Sequence, residues 1–337
     1  MLRQDFLFYI YEAKERKKQR LSCGSNKKEK EKMLYFVINP NARSKQGWKI
    51  WKEIEEELKR RGEAYRYFVT KHPKDGVRIA RKLTAGNKKR KIVVLGGDGT
   101  LNEFLNGMQR TKDIYLSYLP MGSGNDFARG MGISKDYLAQ LTKILDHPRH
   151  KKIDYGIVTY QDGRKRRFFV SAGMGFDANV CYDVDHSKVK QYLNRFHLGK
   201  LAYLVLGIKN LLLGKTFDGT LSVDGRTVLV GRGFLFVSIH NLPYEGGRFL
   251  FAPKADAGDG KLNLCVAKNI KRWKIPILIP LAMVGKHTKF QGVYQFSCKE
   301  ARIATRRKQY VHTDGETKKK ETNILISVSK EKVNFYC

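Results

Sequence analysis

Two short segments of this 337-residue chain carry residue types suited to holding phosphate. The first, Gly96-Gly97-Asp98-Gly99-Thr100, closes the apolar run Ile92-Val93-Val94-Leu95. The second, Pro120-Met121-Gly122-Ser123-Gly124-Asn125-Asp126-Phe127-Ala128, closes Tyr115-Leu116-Ser117-Tyr118-Leu119. Glycines let a backbone approach an anion and take dihedrals that side chains forbid. A helix that starts directly behind them adds free N–H groups and a favourable dipole. Asp98 and Asp126 do not suit a bare phosphate, because a carboxylate repels it. They suit a magnesium ion, or a water, that faces the phosphates. Neither segment is a Walker A loop, since no Lys-Ser/Thr follows the glycines. Neither is a full G-x-G-x-x-G, since Phe127 stands at the third glycine. For either loop alone the alternative is a tight turn with a solvated Asp.

Two glycine-rich, Asp-bearing loops after consecutive strands belong at one edge of a parallel sheet, the edge where open α/β sheets bind ligands. The flanking pattern agrees. Leu34 to Ile38 reads as a first strand and Tyr65 to Thr70 alternates as another. Trp48 to Arg61 has helical periodicity through Trp48, Trp51, Ile54 and Leu58. Gly76–Thr84 and Leu101–Met108 read as further helices. This β–α alternation predicts a doubly wound, Rossmann-like α/β domain over residues 33–154. After Asp154 strand-like runs take over: Gly156–Tyr160, Arg167–Ser171, Thr220–Val223, Gly233–Ile239, Lys261–Val266, Ala301–Ala304, Tyr310–Thr313 and Ile324–Val328. They predict an antiparallel β domain over residues 155–324, with the chain end, 325–337, returning to the first domain. A helix over Gly199–Leu213, with a stripe of leucines and isoleucine, reads as a core helix on that sheet. The active site is expected in the cleft between the domains.

Charge narrows the partners. Lys and Arg number 66 against 32 Asp and Glu, a formal net charge of +34. Such a field favours nucleotides, nucleic acid or an anionic membrane surface. Basic clusters stand at 88–91, 164–167, 306–308 and 318–320. The five cysteines are scattered and include no C-x-x-C, so inert thiols in a reducing cytosol are expected. No apolar run approaches the roughly 20 residues of a membrane span. The longest candidate, Ile275 to Val284, contains Pro276 and Pro280. Residues 1–32 are basic with a broken middle, and Met33 directly precedes the first strand. An upstream start chosen in error is the preferred reading, and a membrane-surface helix the alternative.

The motifs, taken in order, resemble the diacylglycerol kinase catalytic-domain family in its soluble bacterial branch, the YegS-like lipid kinases. The resemblance runs from about Leu34 to Val328. It rests on Asn39-Pro40-Asn41-Ala42, the two glycine loops, Gly173-Met174-Gly175-Phe176-Asp177-Ala178, Gly246-Gly247 before Ala252-Pro253-Lys254-Ala255, Asp259-Gly260-Lys261-Leu262, and Asp314-Gly315-Glu316. The GGDGT loop is shared with NAD kinases and similar loops occur in phosphofructokinases; the later motifs distinguish the lipid kinases. The resemblance implies an NAD kinase-like α/β domain followed by an antiparallel β-sandwich, with transfer of a phosphoryl group from ATP to a lipid hydroxyl.

It also implies roles. The amides of Gly97, Gly99, Gly122 and Ser123 and the side chains of Asn39, Thr100 and Asn125 are expected to cradle ATP, with Thr70 and Glu103 added to that set. Asp98, Asp126 and Asp154 are expected in a water-bridged network to a catalytic Mg2+. Asp259 and the carbonyl of Leu262 resemble a structural Mg2+ site, although Gly258 stands where an acidic residue often precedes. Asp314 is the expected general base, oriented by Glu316. Diacylglycerol is the expected acceptor; a sphingoid base, a monoacyl lipid, phosphatidylglycerol or NAD are alternatives. A non-catalytic nucleic-acid-binding protein would explain the charge but not the ordered aspartates. The expected setting is cytoplasmic, peripheral at the inner face of an anionic membrane, with pairing of two copies left open and no specific nucleic acid.

Overall fold

The computed structural model describes residues 33–147, 149–186 and 215–336. The expectations for residues 1–32 and for a helix over Gly199–Leu213 lie outside the described residues. The first domain is a six-stranded sheet in the order β2-β1-β3-β4-β15-β5. Its strands are β1 (Leu34–Ile38), β2 (Tyr65–Val69), β3 (Arg90–Gly96), β4 (Ile114–Pro120), β5 (His150–Ile153) and β15 (Val333–Tyr336). β1 to β4 are parallel, β15 runs parallel to β4, and β5 is antiparallel to β15.

Burial on both faces explains why β1 and β3 are near-continuous apolar runs rather than alternating ones. Phe36 and Ile38 pack on one face with Ile50, Trp51, Ile54 and Leu58 of α2 (Gly47–Arg60), and the Phe36 and Trp51 rings lie 5.0 Å apart. α1 (Ala42–Lys45) is a short turn before it, and α6 (Tyr137–Asp146) adds Leu141 and Ile144 to the same face. Val37, Ile92 and Val94 point the other way, onto α3 (Asp75–Thr84), α4 (Asp98–Gly107) and α5 (Asp126–Met131). The period-2 pleat thus feeds two separate cores from one sheet.

The second domain is a nine-stranded antiparallel assembly, β12-β11-β10-β8-β13-β14-β6-β7, with β9 bridging β10 and β13. Its strands are β6 (Gly156–Tyr160), β7 (Lys165–Phe168), β8 (Ser171–Gly175), β9 (Phe217–Val223), β10 (Arg226–His240), β11 (Leu262–Lys268), β12 (Val293–Cys298), β13 (Glu300–Thr313) and β14 (Glu316–Val328). α7 (Phe176–His186) follows β8, and α8 (Ile275–Met283) follows β11. Inward residues including Phe168, Met174, Phe234, Ile239, Leu264, Ile303 and Ile326 form its own core.

The structure departs from the sequence reading in three places that bear on the site. The single strand expected over Arg167–Ser171 is two strands, broken at Phe169–Val170. The two strands expected at Ala301–Ala304 and Tyr310–Thr313 are one long strand with a bulge, since its pairing with β14 shifts register between Ala304 and Gln309. The return of the chain is shorter than 325–337: β14 holds residues to Val328 in the second domain, and only Val333–Tyr336 enters the first sheet.

Candidate active site

Strand register brings the two glycine loops together. Leu95 pairs with Leu119 and Gly96 with Pro120, and Met121 N donates to Gly96 O at 2.7 Å. A Cβ on Gly97 would lie 3.2 Å from Gly122 Cα, and one on Gly122 would lie 3.0 Å from Gly97 Cα and 2.8 Å from Asn125 Oδ1. The loops touch backbone to backbone, and a side chain at Gly122 would push them apart. β1 ends at the same edge, since Ile38 pairs with Leu95, and there Asn39 Nδ2 donates to Thr100 Oγ1 at 3.0 Å. α4 begins inside the first loop, three residues earlier than expected, with Gly97 as its N-cap. Its first-turn amides are the orphan donors of a helix start, and Gly99 among them is exposed. Ser123 is also exposed, whereas the Gly122 amide is already given to Asn125 Oδ1 at 2.7 Å. Asn125 takes the left-handed conformation, φ 53°, to make that turn.

The Asp98 and Asp126 carboxylates converge. A Cβ on Gly124 would lie 3.5 Å from an oxygen of each. Asp98 Oδ2 accepts from Asp126 N at 3.1 Å, but Asp98 Oδ1 is buried with no hydrogen-bond partner. Burial, with the Asp126 and Asp314 charges nearby, pushes the Asp98 carboxyl up to about 7. Asp126 is better supplied: Gly247 N donates to its carboxylate at 2.9 Å and Arg129 at 2.8 Å. Its carboxyl is raised by burial, with Gly247 and Arg129 opposing. An orphaned, hard oxygen among like charges is a donor set that fits a divalent cation such as Mg2+.

The second domain closes over this edge. Asp314 and Gly315 form a two-residue hairpin between Thr313 and Glu316, both with positive φ (47° and 80°), the type I′ geometry that Asp-Gly favours. The Asp314 carboxylate turns back into the sheet. Oδ1 accepts from Val170 N (2.8 Å) and Ser171 N (3.1 Å), and Oδ2 from Phe169 N (2.9 Å) and Asn102 Nδ2 (2.7 Å). Phe169 and Val170 are the break between β7 and β8, and their amides, with that of Ser171 at the start of β8, bind this carboxylate. Burial raises the Asp314 carboxyl, while these four donors hold it down.

Asn102, on α4, carries no signal in the sequence reading, yet it joins the domains. Besides Asp314 it donates to Arg167 O at 3.1 Å, and its Oδ1 accepts from Arg166 at 3.0 Å. Arg166 pairs with Glu316 at 2.6 Å, and Glu316 Oε1 lies 3.7 Å from where a Cβ of Gly99 would be. Arg167 caps the C-terminus of α4 by donating to Leu105 O and Met108 O. Two members of the 164–167 basic cluster are therefore turned inward, not spread on a solvated face.

Four expected site residues have other partners. Glu103 accepts from Lys74 N (2.8 Å) and Gly76 N (3.0 Å) and so holds the start of α3. Thr70 donates to Ile38 O. Asp154 is fully buried, and its carboxylate is taken by Gly260 N at 2.7 Å and by Lys332 Nζ at 3.1 Å, not by the Asp98–Asp126 pair. Asp259 is exposed and accepts from its own loop at Lys261 N, while Leu262 is buried in β11. Lys332 donates to Gly258 O at 2.8 Å, so the positive charge at this loop is an ammonium.

The family model described as "Diacylglycerol kinase catalytic domain" matches residues 33–158, and "YegS C-terminal NAD kinase beta sandwich-like domain" matches residues 170–330. A Bacillus subtilis (strain 168) protein named "Putative lipid kinase YtlR" is 33% identical over 291 residues, 84% of this chain and 92% of its own length. The "Diacylglycerol kinase" of the same organism is 28% identical over 67% of this chain and 70% of its own. A crystal structure described as a "putative diacylglycerol kinase" from Bacillus anthracis str. Sterne superposes with a TM-score of 0.71 at 21% identity, covering 91% of this chain and 98% of that one. At that identity the superposition supports the fold: a parallel-sheet α/β domain followed by an NAD kinase-like β-sandwich.

Proposed function

We propose, for a chain that belongs to the diacylglycerol kinase catalytic-domain family and is a phosphotransferase with an alcohol group as acceptor, that the donor is ATP and the acceptor diacylglycerol or a close lipid alcohol, giving phosphatidic acid or the corresponding lipid phosphate. The observation that carries this reading is the meeting of α4, whose first turn carries Asp98, with Asp314 across the domain interface through the Asn102 side chain further along the same helix. A phosphate-binding helix start and a carboxylate from the other domain face one another there, as phosphoryl transfer to a hydroxyl needs.

The roles follow from the partners. First-turn amides of α4 and the exposed Ser123 loop bind phosphate oxygens. Asn39 and Thr100 fix the β1 end against that turn. Asp98, whose Oδ1 is unpartnered, would hold Mg2+ together with Asp126, which Gly247 and Arg129 keep in position. Bound Mg2+ supplies neutralising charge on the transferring phosphate. Arg166, tied to Asn102 and Glu316 beside Gly99, adds a protein cation to the same charge. Asp314 takes the acceptor proton by exchanging its Asn102 hydrogen bond for the lipid hydroxyl, since its four acceptor positions are filled in the free protein.

Among the described residues no helix is long and apolar enough to cross a membrane. Access to a lipid is instead read as peripheral, from the cytoplasmic side, through α8. Trp273, Ile277 and Val284 are 66%, 51% and 60% exposed, and Lys271, Arg272, Lys286 and Lys289 stand exposed around them. An apolar tip ringed by cations is complementary to an anionic bilayer. α8 is joined to the loop that supports Asp126: Leu250 N donates to Ala282 O at 2.9 Å. The test is a panel of lipid alcohols, with NAD and a sphingoid base included, incubated with ATP and Mg2+ and analysed by mass. Phosphorylation of diacylglycerol above the rest supports the reading, and phosphate on NAD alone overturns it.

A further inference from the structure

A second polar cluster lies inside the sandwich, outside the roles given above. Asp177 in the first turn of α7, Glu245 in the loop after β10 and His312 near the end of β13 bring one donor atom each to within 4.8 Å of one another. His312 Nε2 stands 3.0 Å from Asp177 Oδ2 and 3.4 Å from Glu245 Oε1. Donors on a tetrahedral ion with bonds of about 2.0–2.1 Å are separated by about 3.3 Å, so these edges suit one.

The remaining oxygens are held by outer partners. Asp177 Oδ1 accepts from Ala178 N at 2.7 Å, and Glu245 Oε2 accepts from Ser238 Oγ at 3.1 Å. Each carboxylate therefore keeps one oxygen fixed and turns the other to His312. Such outer hydrogen bonds orient metal ligands. Gly173 leaves the room, since a Cβ there would lie 2.7 Å from His312 Nε2 and collide with the Asp177 carboxylate. Among the described residues, the ion pairs of Asp177 and Glu245 run only to His240 and His312. His312 and His240 are wholly buried and Asp177 is 9% exposed, so two carboxylates share an interior with two imidazoles, and His312 Nε2 is hydrogen-bonded to Asp177 Oδ2 at 3.0 Å. Buried carboxylates need paired or coordinated cations.

We propose that Asp177, Glu245 and His312 form a binding site for a first-row divalent transition-metal ion, Zn2+ as the type, separate from the Mg2+ position at Asp98. One imidazole with two carboxylates selects such an ion over Mg2+ or Ca2+, which prefer all-oxygen sets. The site ties three segments that serve the reaction edge. Glu245 precedes Gly247, which holds Asp126, and His312 lies near the end of β13, two residues before Asp314 in the hairpin that follows.

The test uses the full chain, stripped with chelator and then titrated with Zn2+ by calorimetry, with Co2+ as a spectroscopic probe. One equivalent of Zn2+ per chain is expected, with Co2+ bands of an imidazole–carboxylate site. His312→Gln and Glu245→Gln should weaken binding at least tenfold, and Asp98→Asn should leave it unchanged. A wild-type chain that takes up no Zn2+, or that binds it equally after either ligand substitution, overturns the proposal. So does competition by equimolar Mg2+. If a variant fails to fold, the wild-type stoichiometry and Co2+ spectrum decide alone, since absence of either overturns the site.

Discussion

Asn102 Nδ2 donates to Asp314 Oδ2 at 2.7 Å, although the two residues stand 212 positions apart in the chain. One comes from the helix behind the first glycine loop, the other from a hairpin of the second domain. The same amide receives Arg166 on its oxygen, so one side chain fixes an acid and a cation at once.

Asn102→Ala should therefore act on both partners. Loss of a hydrogen bond to a buried carboxylate costs about 1–3 kcal/mol. The melting temperature should fall, and kcat should drop roughly tenfold or more with a smaller change in KM for ATP. Unchanged kinetics in a folded variant would remove Asn102 from the positioning role.

Asp314→Asn is harsher than its shape suggests. All four atoms that face the carboxylate are donors, so an amide NH2 must meet at least one of them. Thermal melting should show a loss of about 1–3 kcal/mol, and turnover of the remaining folded enzyme should fall by roughly 10². Glu316→Gln should be milder, because Glu316 keeps an oxygen for Arg166. Ordinary turnover in folded Asp314→Asn would rule out Asp314 as the proton acceptor.

Asp98 predicts a pH signature. Its carboxyl is raised from 3.8 to about 7 in the folded protein, so the folded state binds the extra proton between these values. Stability from this group is thus present at acid pH and is lost as pH rises through about 7. Mg2+ should oppose that loss. The rise in melting temperature on adding Mg2+ should be larger near pH 8 than near about pH 5.5, and Asp98→Asn should flatten the difference. A pH-independent Mg2+ effect would contradict the assignment.

Lys332→Met tests the junction. It leaves Asp154, which is wholly buried, with Gly260 N but without its cation. Breaking a buried pair costs about 3–5 kcal/mol, and half-exposed Lys332 should bring this toward the lower end. Denaturant unfolding measures it. A change indistinguishable from zero would show that the Lys332–Asp154 pair adds nothing to stability.

Trp273→Ser with Ile277→Ser tests the α8 surface. Co-sedimentation with anionic vesicles should weaken several-fold, and binding of the parent protein should fall steeply with added salt. Turnover of a short-chain, water-dispersed diacylglycerol should stay near normal. Equal binding of the parent to neutral and anionic vesicles would exclude the charge complementarity.

The sequence by itself determined what is local. Glycines after apolar runs fixed two tight strand-to-helix turns, and the period of the apolar residues fixed strand and helix. Asp314-Gly315 specified a two-residue hairpin through its own backbone preferences. Consecutive strands that end in glycine loops placed both loops at one sheet edge, and registers such as Gly96 with Pro120 decided that they touch. Only the tertiary structure decided where side chains found partners. Nothing in the sequence around Asp154 points to Lys332, which reaches it from near the chain end. Arg166 and Arg167 looked like surface charge until α4 supplied acceptors. Asn102 had no pattern at all, and Asp177, Glu245 and His312 stood in three separate segments. A backbone turn is written by neighbours in the chain. The partner of a buried polar group is written by which strands pair, and burial then makes that partner decisive, because water is no longer there to replace it.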